Sequence, residues 1–308
     1  MKIAIFAGTM KVIPPTGYGA EYATWDLAEG ICSLGHDVLL GAPAGSRTPS
    51  RGRLVPLGLP VANRSGMDWR RAENSAAEAF VREAQQVNVD VLHDLSCSSI
   101  AHDTWCARTR CRPHLTTLNG ISWLSPRVAR HGIVVVSKAA QEAAQSGITA
   151  WHGTPYDSGR EPPFKSTRVV HYGCDLDFYK PQGKRDANLV VYVGRPHLQK
   201  GIELIPALAR AEPNLHFVCA WRPDGQDHRD ADAEVRAGLG GNSPLNFEII
   251  TLPDEAHHEA KRDLMARAAV FLHPATYIEA CARTVIEAQA CGTPVVAFRE
   301  GGNPEIID

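Results

Sequence analysis

Glu279 and Glu287 stand eight positions apart in YIEACARTVIEAQACGTPVV (277–296), ahead of a Cys-Gly-Thr-Pro turn and an apolar strand. The spacing leaves two readings open. They are glutamates on a solvated helix face, or a pair placed to accept hydrogen bonds from one ligand. Upstream, VGRPHLQKG (193–201) brings Arg195 and Lys200 onto a short loop leading into a helix that is expected to begin near Gly201. Two cations and a helix N-terminus converging on one point make a diphosphate site that needs no metal. Near the N-terminus, PPTGYGAEY (14–22) sets Gly17 and Gly19 just before a helix, where glycine lets a backbone approach an anion. Position 22 is Tyr22, not the third glycine of a dinucleotide fingerprint. The second strand, DVLLGAP, ends without an acidic residue to hold a ribose, so NAD binding is disfavoured.

Other clusters are discounted. CDLDF (174–178) and DADAE (230–234) contain Asp-x-Asp, which can hold a divalent metal under a diphosphate. The first opens a linker region and the second lies in a polar helix, while Arg195 and Lys200 already offer the positive charge such a metal would bring. Cys106 and Cys111 with His102 and His114 imitate a zinc site, but Arg108, Arg110 and Arg112 among them are expected to repel a cation. The eight cysteines show no C-x-x-C and no regular framework, which reads as reduced thiols.

These residues must be positioned by a repeating scaffold. KIAIFAG (2–8) reads as a strand and 20–35 as a helix; DVLLGAP is a strand, 73–86 a helix, and VDVLHDL, HLTTLNG and GIVVVS are further strands. YKPQGKRDAN (179–188) is polar and bears proline and glycine, so it reads as a linker between a domain of 1–178 and one of 189–308. The rhythm then restarts with strands LVVYVG, NLHFVCAW, FEIITLP, VFLHP and PVVAF, separated by helices at 201–211, near 229–238, at 255–268 and between the two glutamates. Continuous apolar strands alternating with helices predict two α/β domains, each a doubly wound parallel sheet with ligands beyond the carboxyl ends of its strands.

Composition narrows the classes further. The 308 residues carry a formal net charge of −2, which argues against a chain that coats nucleic acid. The longest apolar runs, such as GIVVV (132–136), are strand-length, so no membrane span is expected. MKIAIFAG is too short for a signal peptide and is followed by Lys11 and two prolines, which predicts a cytoplasmic protein.

Taken in register, the motifs resemble the retaining glycosyltransferases of family 4 (glycosyl transferases group 1), which have the GT-B architecture of two Rossmann-like domains facing a central cleft. The similarity runs through PPTGYGAEY, LGHDVLL, VDVLH, VVVSKAAQ, VVHYGCDLDFYKP, VYVGRPHLQKGIELI and EACARTVIEAQACGTPVVAFREGGNPEI, and Glu279 and Glu287 fit the family's Glu-x7-Glu pattern. The resemblance implies sugar transfer from a UDP-, GDP- or ADP-sugar with retention and without a metal or other cofactor. The acceptor is unidentified: a saccharide, a lipid-linked sugar or a small molecule, with peripheral membrane contact open and nucleic acid not expected. Eight residues of helix rise about 12 Å, a span that suits the two ends of a nucleotide-sugar. By resemblance Glu287 accepts hydrogen bonds from the ribose, Glu279 reaches the donor sugar, and Arg195 and Lys200 stabilise the departing diphosphate. The implied donor-binding set is Gly17, Gly19, Arg195, Lys200, Glu279, Thr284, Val285 and Glu287; the catalytic set is Glu279, Arg195, Lys200, Asn119 and His93.

Three departures stand out. Ala280-Cys281-Ala282 replaces the family's Pro-Phe-Gly, and Ala282 is expected to crowd the backbone beside the donor sugar. Asn119, in TTLNG, stands where many members have a histidine; it can hydrogen-bond but cannot titrate. His93 is a second candidate facing the cleft, with a buried structural role as its alternative. The second domain is also expected to be short at its C-terminus, which keeps a non-catalytic nucleotide-sugar binder open beside the transferase, with a nucleotide-sugar epimerase behind it. Tyr18, Trp69 and Trp123 could stack on an acceptor.

Overall fold

A strand buried on both faces needs apolar residues at every position, and LVVYV meets that demand: all five residues of Leu189–Val193 are buried. Its alternating side chains feed two different cores. Leu189, Val191 and Val193 pack with Phe271, Met265 and Val285 on one face of the sheet. Val190 and Tyr192 pack with Phe217, Trp221 and Ile205 on the other. Lys2–Phe6 behaves likewise, sending Ala4 and Phe6 against Phe80 and Trp105, and Ile5 against Leu40 and Trp25. Each sheet therefore carries helices on both faces, the doubly wound arrangement.

The computed structural model describes residues 1–15, 19–61, 67–96, 98–110, 112–119, 132–146, 167–222, 226–239, 243–253 and 257–307. They divide into two units, Met1–His171 and Tyr172–Asp308. The first unit runs β1 (Lys2–Phe6), α1 (Gly19–Ser33), β2 (Asp37–Ala42), β3 (Gly52–Pro56), α2 (Met67–Gln86), β4 (Val91–Asp94), α3 (Ile100–Thr109), β5 (His114–Leu118), β6 (Ile133–Val135), α4 (Lys138–Ser146) and β7 (Thr167–Val169). Its seven-stranded sheet has the order β3-β2-β1-β4-β5-β6-β7. The second runs β8 (Leu189–Val193), α5 (Ile205–Ala211), β9 (His216–Trp221), α6 (Gln226–Leu239), β10 (Phe247–Thr251), α7 (His257–Arg267), β11 (Val270–His273), α8 (Arg283–Ala290), β12 (Val295–Ala297) and α9 (Asn303–Ile306). Its five strands take the order β10-β9-β8-β11-β12. Every strand pairing is parallel. No described helix is long and apolar enough to cross a membrane.

The order reverses at β1/β4 in the first unit and at β8/β11 in the second. Loops leaving adjacent strands in opposite directions open a crevice at such a switch point.

Four elements escape the sequence reading, the single-turn α9 among them. β3 and β7 are short strands at the sheet edge, with every residue at least partly exposed, so neither shows an apolar run. α3 (IAHDTWCART) is built largely of weak helix formers and is held by tertiary packing of Ala101 and Trp105. α2 begins at Met67 rather than 73, which places Glu73 inside the helix. The 179–188 segment, expected as a linker, sends Tyr179 into the core of the second unit, while Arg185 donates to the Gly292 carbonyl at 2.6 Å.

Candidate functional site

In the second unit, β8 and β11 pair in parallel, Val190 opposite Val270, so the loops that follow them emerge side by side. Two short 3-10 turns, Leu198–Lys200 and Ile202–Leu204, occupy the first loop, with Gly201 between them at φ +69°. A Cβ on Gly201 would lie 1.8 Å from the Pro274 carbonyl oxygen, so only glycine lets the loops approach this closely. Thr276 N donates to Gln199 O at 3.0 Å and completes the seam. The helix expected near Gly201 is thus delayed to Ile205 and is seven residues long; Pro206 sits in its first turn.

The seam delivers Lys200 to Glu279. Lys200 Nζ donates to Glu279 Oε2, which also accepts from Tyr277 OH at 2.5 Å and lies 3.7 Å from His273 Nε2. Lys200 Nζ stands 4.9 Å above the Tyr277 ring. Burial alone would raise the Glu279 pKa; the charges of Lys200 and His273 and the bonds from Lys200 and Tyr277 outweigh it and hold it at about 2. Lys200 is pulled below the ordinary lysine value, first by burial and then by Arg195, with Glu279 offsetting only part. His197 is lowered by burial, Arg195 and Lys200, and His273 falls to about 4 through burial and Lys200. Burial is the largest cause of all three shifts; Arg195 and Lys200 add positive charge at His197, whereas at Lys200 the Glu279 carboxylate outweighs Arg195. Arg195 is exposed, and its guanidinium has no hydrogen-bond or ion-pair partner among the described residues. The constellation is one part-buried ion pair plus a spare guanidinium, which is suited to an anion that also offers hydroxyls.

The acid sensitivity of this unit follows from these shifts. His273 is neutral in the fold, so stability is lost as pH falls from 6.5 toward about 4, where only the unfolded chain takes up that proton. The Glu279 contribution is fully present above 4.5 and is lost as pH falls toward about 2. Thermal unfolding followed across pH 7 to 2 should show the melting temperature falling throughout; a flat profile from pH 6.5 to 4 rejects a neutral buried His273.

The second glutamate lies elsewhere. α8 begins only at Arg283, with Ala282 as its N-cap, so half of the span between the glutamates is not helical and the 12 Å estimate from a continuous helix does not apply. Glu287 is 2% exposed and bound by Lys261 at 2.8 Å from α7 and by Arg283 at 3.3 Å. Burial raises its pKa, but the two cations outweigh that and lower it. Val285 is a core side chain whose N–H donates to the Ala282 carbonyl, and Thr284 is half-buried in the first turn of α8. Ala282 sits at φ −79°, an ordinary backbone region, and its methyl joins the core.

In the first unit, a small solvent-open pocket lies at the β1/β4 switch, lined by Gly8, Glu21, Trp69, Glu73, Ser96 and Asn119 among others. Asn119 Nδ2 donates to Leu95 O at 3.0 Å. His93 is buried on β4 with Nε2 at 2.7 Å from Thr117 Oγ1, and burial lowers its pKa to about 4; it does not line this pocket. Gly19 opens α1, whereas Gly17, Tyr18 and Trp123 lie outside the described residues.

Two carboxylates escaped the sequence reading. Glu73 accepts from Thr9 N at 3.0 Å and Ser98 Oγ at 3.2 Å, and Asp94 accepts from Ser96 N, Ser96 Oγ and His102 N. Burial pushes Asp94 up to about 7 despite those bonds. Its place at the end of an apolar strand was a usable signal. Glu73, in a polar helical stretch, offered none.

Residues 176–308 match the family Glycosyl transferases group 1. The D-inositol 3-phosphate glycosyltransferase of Mycobacterium tuberculosis is 32% identical over 149 residues, 45% of this chain and 30% of that protein. The match thus spans less than a third of the curated relative. Among solved structures, AviGT4, a glycosyltransferase involved in Avilamycin A biosynthesis, superposes with a TM-score of 0.68 at 22% identity, covering 100% of this chain and 81% of that one. The Anabaena HepE complex with UDP and glucose gives 0.70 at 19% identity, covering 100% and 83%. Starch synthase IV from Arabidopsis thaliana, bound to ADP and acarbose, gives 0.72 at 15% identity, covering 99% and 84%. The two parallel-sheet α/β domains are those of GT-B glycosyltransferase structures.

Proposed function

We propose that the chain is a retaining glycosyltransferase of family 4 type that takes its sugar from a nucleoside-diphosphate donor without a metal. The observation that carries the reading is the Lys200–Glu279 pair beside the unneutralised Arg195, at the carboxyl ends of β8 and β11. Arg195 and Lys200 hold the diphosphate and stabilise charge as it departs, the work a divalent ion would otherwise do. Glu279, kept ionised with a pKa of about 2, accepts from donor-sugar hydroxyls. Glu287 takes the ribose through acceptor capacity beyond its bonds to Lys261 and Arg283. The reaction proceeds with the leaving phosphate helping to deprotonate the acceptor, so no carboxylate nucleophile is assigned. The acceptor, a saccharide, lipid-linked sugar or small molecule, binds in the pocket at β1/β4, with Asn119 as a hydrogen-bonding group, and the protein works in the cytoplasm. The UDP and ADP held by the HepE and starch synthase IV structures support a nucleotide donor.

Thermal-shift measurements with UDP, GDP, ADP and NAD in EDTA test this. A ligand at a hundred times its dissociation constant stabilises by about 2.7 kcal/mol. One diphosphate should raise the melting temperature without metal, and Arg195→Ala should abolish the rise. Binding of none, or of NAD alone, removes the proposal. A non-catalytic binder draws on one observation, the bond of Asn119 to Leu95 O where a titratable group would be expected; product formation from the donor that binds separates the two.

A further inference from the structure

We propose that His102, Cys106 and His114 bind one zinc ion, which pins α3 to β5. His102 and Cys106 are four residues apart on α3 and share one of its faces. His114 opens the neighbouring β5. One ligand atom from each of the three lies within 4.8 Å of the other two, with His102 buried and the others half-buried.

The rings are already oriented for an ion. His114 Nδ1 is 2.8 Å from the Arg112 carbonyl, which can only accept. Nδ1 therefore carries the proton and Nε2 the lone pair, and Nε2 is 3.6 Å from Cys106 Sγ. His102 Nδ1 stands 2.6 Å from Thr116 Oγ1, a hydroxyl able to accept the same kind of bond. Metal-binding imidazoles are held in this way, one N–H on an oxygen and the other nitrogen on the ion. Tetrahedral zinc, with Zn–S about 2.3 Å and Zn–N about 2.0 Å, separates sulfur from nitrogen by about 3.6 Å and the two nitrogens by about 3.3 Å. Closing the cluster from 4.8 Å asks for small side-chain movements only.

The charge objection raised by the sequence does not hold in the fold. Arg108 is turned onto α2, donating to Glu78 at 3.0 Å and Gln85 at 3.3 Å. Arg112 donates to Asn88 at 3.2 Å, and Arg110 is exposed at the end of α3. Thiolate and imidazole together favour zinc over the hard oxygen-seeking cations, and the three ligands found among the described residues leave a fourth position open; Cys111 lies outside those residues. Binding releases one proton, that of the Cys106 thiol, for each ion bound.

Cobalt(II) is the probe. Titrated into metal-stripped full-length protein, it should bind with about one ion per chain and give a thiolate-to-cobalt charge-transfer band that zinc abolishes. Cys106→Ser should remove the band, Thr116→Val should weaken cobalt binding by about 10–100-fold, and Cys174→Ser in the second unit should change neither. Absence of the band in the wild-type protein, or its survival in Cys106→Ser, overturns the site. Should Cys106→Ser not fold, His114→Ala decides, and wild-type cobalt affinity in that variant overturns the proposal equally.

Discussion

Glu287→Ala will destabilise the second unit by about 3–5 kcal/mol, the cost of leaving buried ions without their counter-charge. Lys261 is 7% exposed and Arg283 also 7%, and both direct nitrogens at the carboxylate, Lys261 to Oε2 and Arg283 to Oε1. Removing it takes the carboxylate from two buried cations between α7 and α8, and the Tyr179 ring, 5.3 Å from Lys261 Nζ, is a weak substitute for it at Lys261. Denaturant unfolding should show a lower midpoint with an unchanged slope. A loss below about 0.5 kcal/mol, the ordinary range for surface changes, would mean that both cations relax to solvent. Affinity for a nucleoside diphosphate must then be compared only under conditions where the variant is fully folded, because unfolding alone lowers apparent binding. A deficit that persists there is the ribose contact.

The second large effect is expected at a residue with no side chain. Gly301 has φ +57°, and a Cβ built there lies 2.2 Å from Glu279 O and 2.5 Å from Glu279 N. Those atoms are backbone, so no rotamer change relieves the clash, and the left-handed conformation adds about 1–2 kcal/mol for a residue with a side chain. Gly302 N also donates to Glu279 O at 2.7 Å, so the 301–302 turn is the brace that fixes where Glu279 sits. Gly301→Ala should displace the carboxylate, and a displacement of about 1 Å lowers a positioned reaction by about a hundredfold. The expected signature is lost sugar transfer with diphosphate binding through Arg195 retained. A transfer rate within a few-fold of wild type would show that the turn does not hold Glu279.

Both predictions depend on contacts that separate what was legible in the chain from what was not. Apolar runs such as LVVYV and HFVCAW declared buried parallel strands by themselves, because burial on both faces leaves no room for a polar position. From that alternation of strands and helices the doubly wound sheets followed, and with them the placing of Arg195, Lys200 and Glu279 at the carboxyl ends of strands. β3 and β7 were illegible because an edge strand has no such constraint.

Which charge meets which was decided only by the tertiary structure. Eight positions between two glutamates suggest one ligand gripped at both ends. Yet the pairing of β8 with β11 gives Glu279 to Lys200, 79 residues away, and the packing of α7 on α8 gives Glu287 to Lys261, 26 residues away. The same holds for His102, Cys106 and His114: their arginine neighbours argue against a cation in one dimension, and in three Arg108 and Arg112 turn to α2 and its end while Arg110 is exposed. Strand and helix preferences are local and periodic, so they are written along the chain. Arg283 and Glu287, four apart on α8, are a pair the helix period could have shown; ion pairs between separate elements depend on sheet order and loop closure, and no local pattern carries that information.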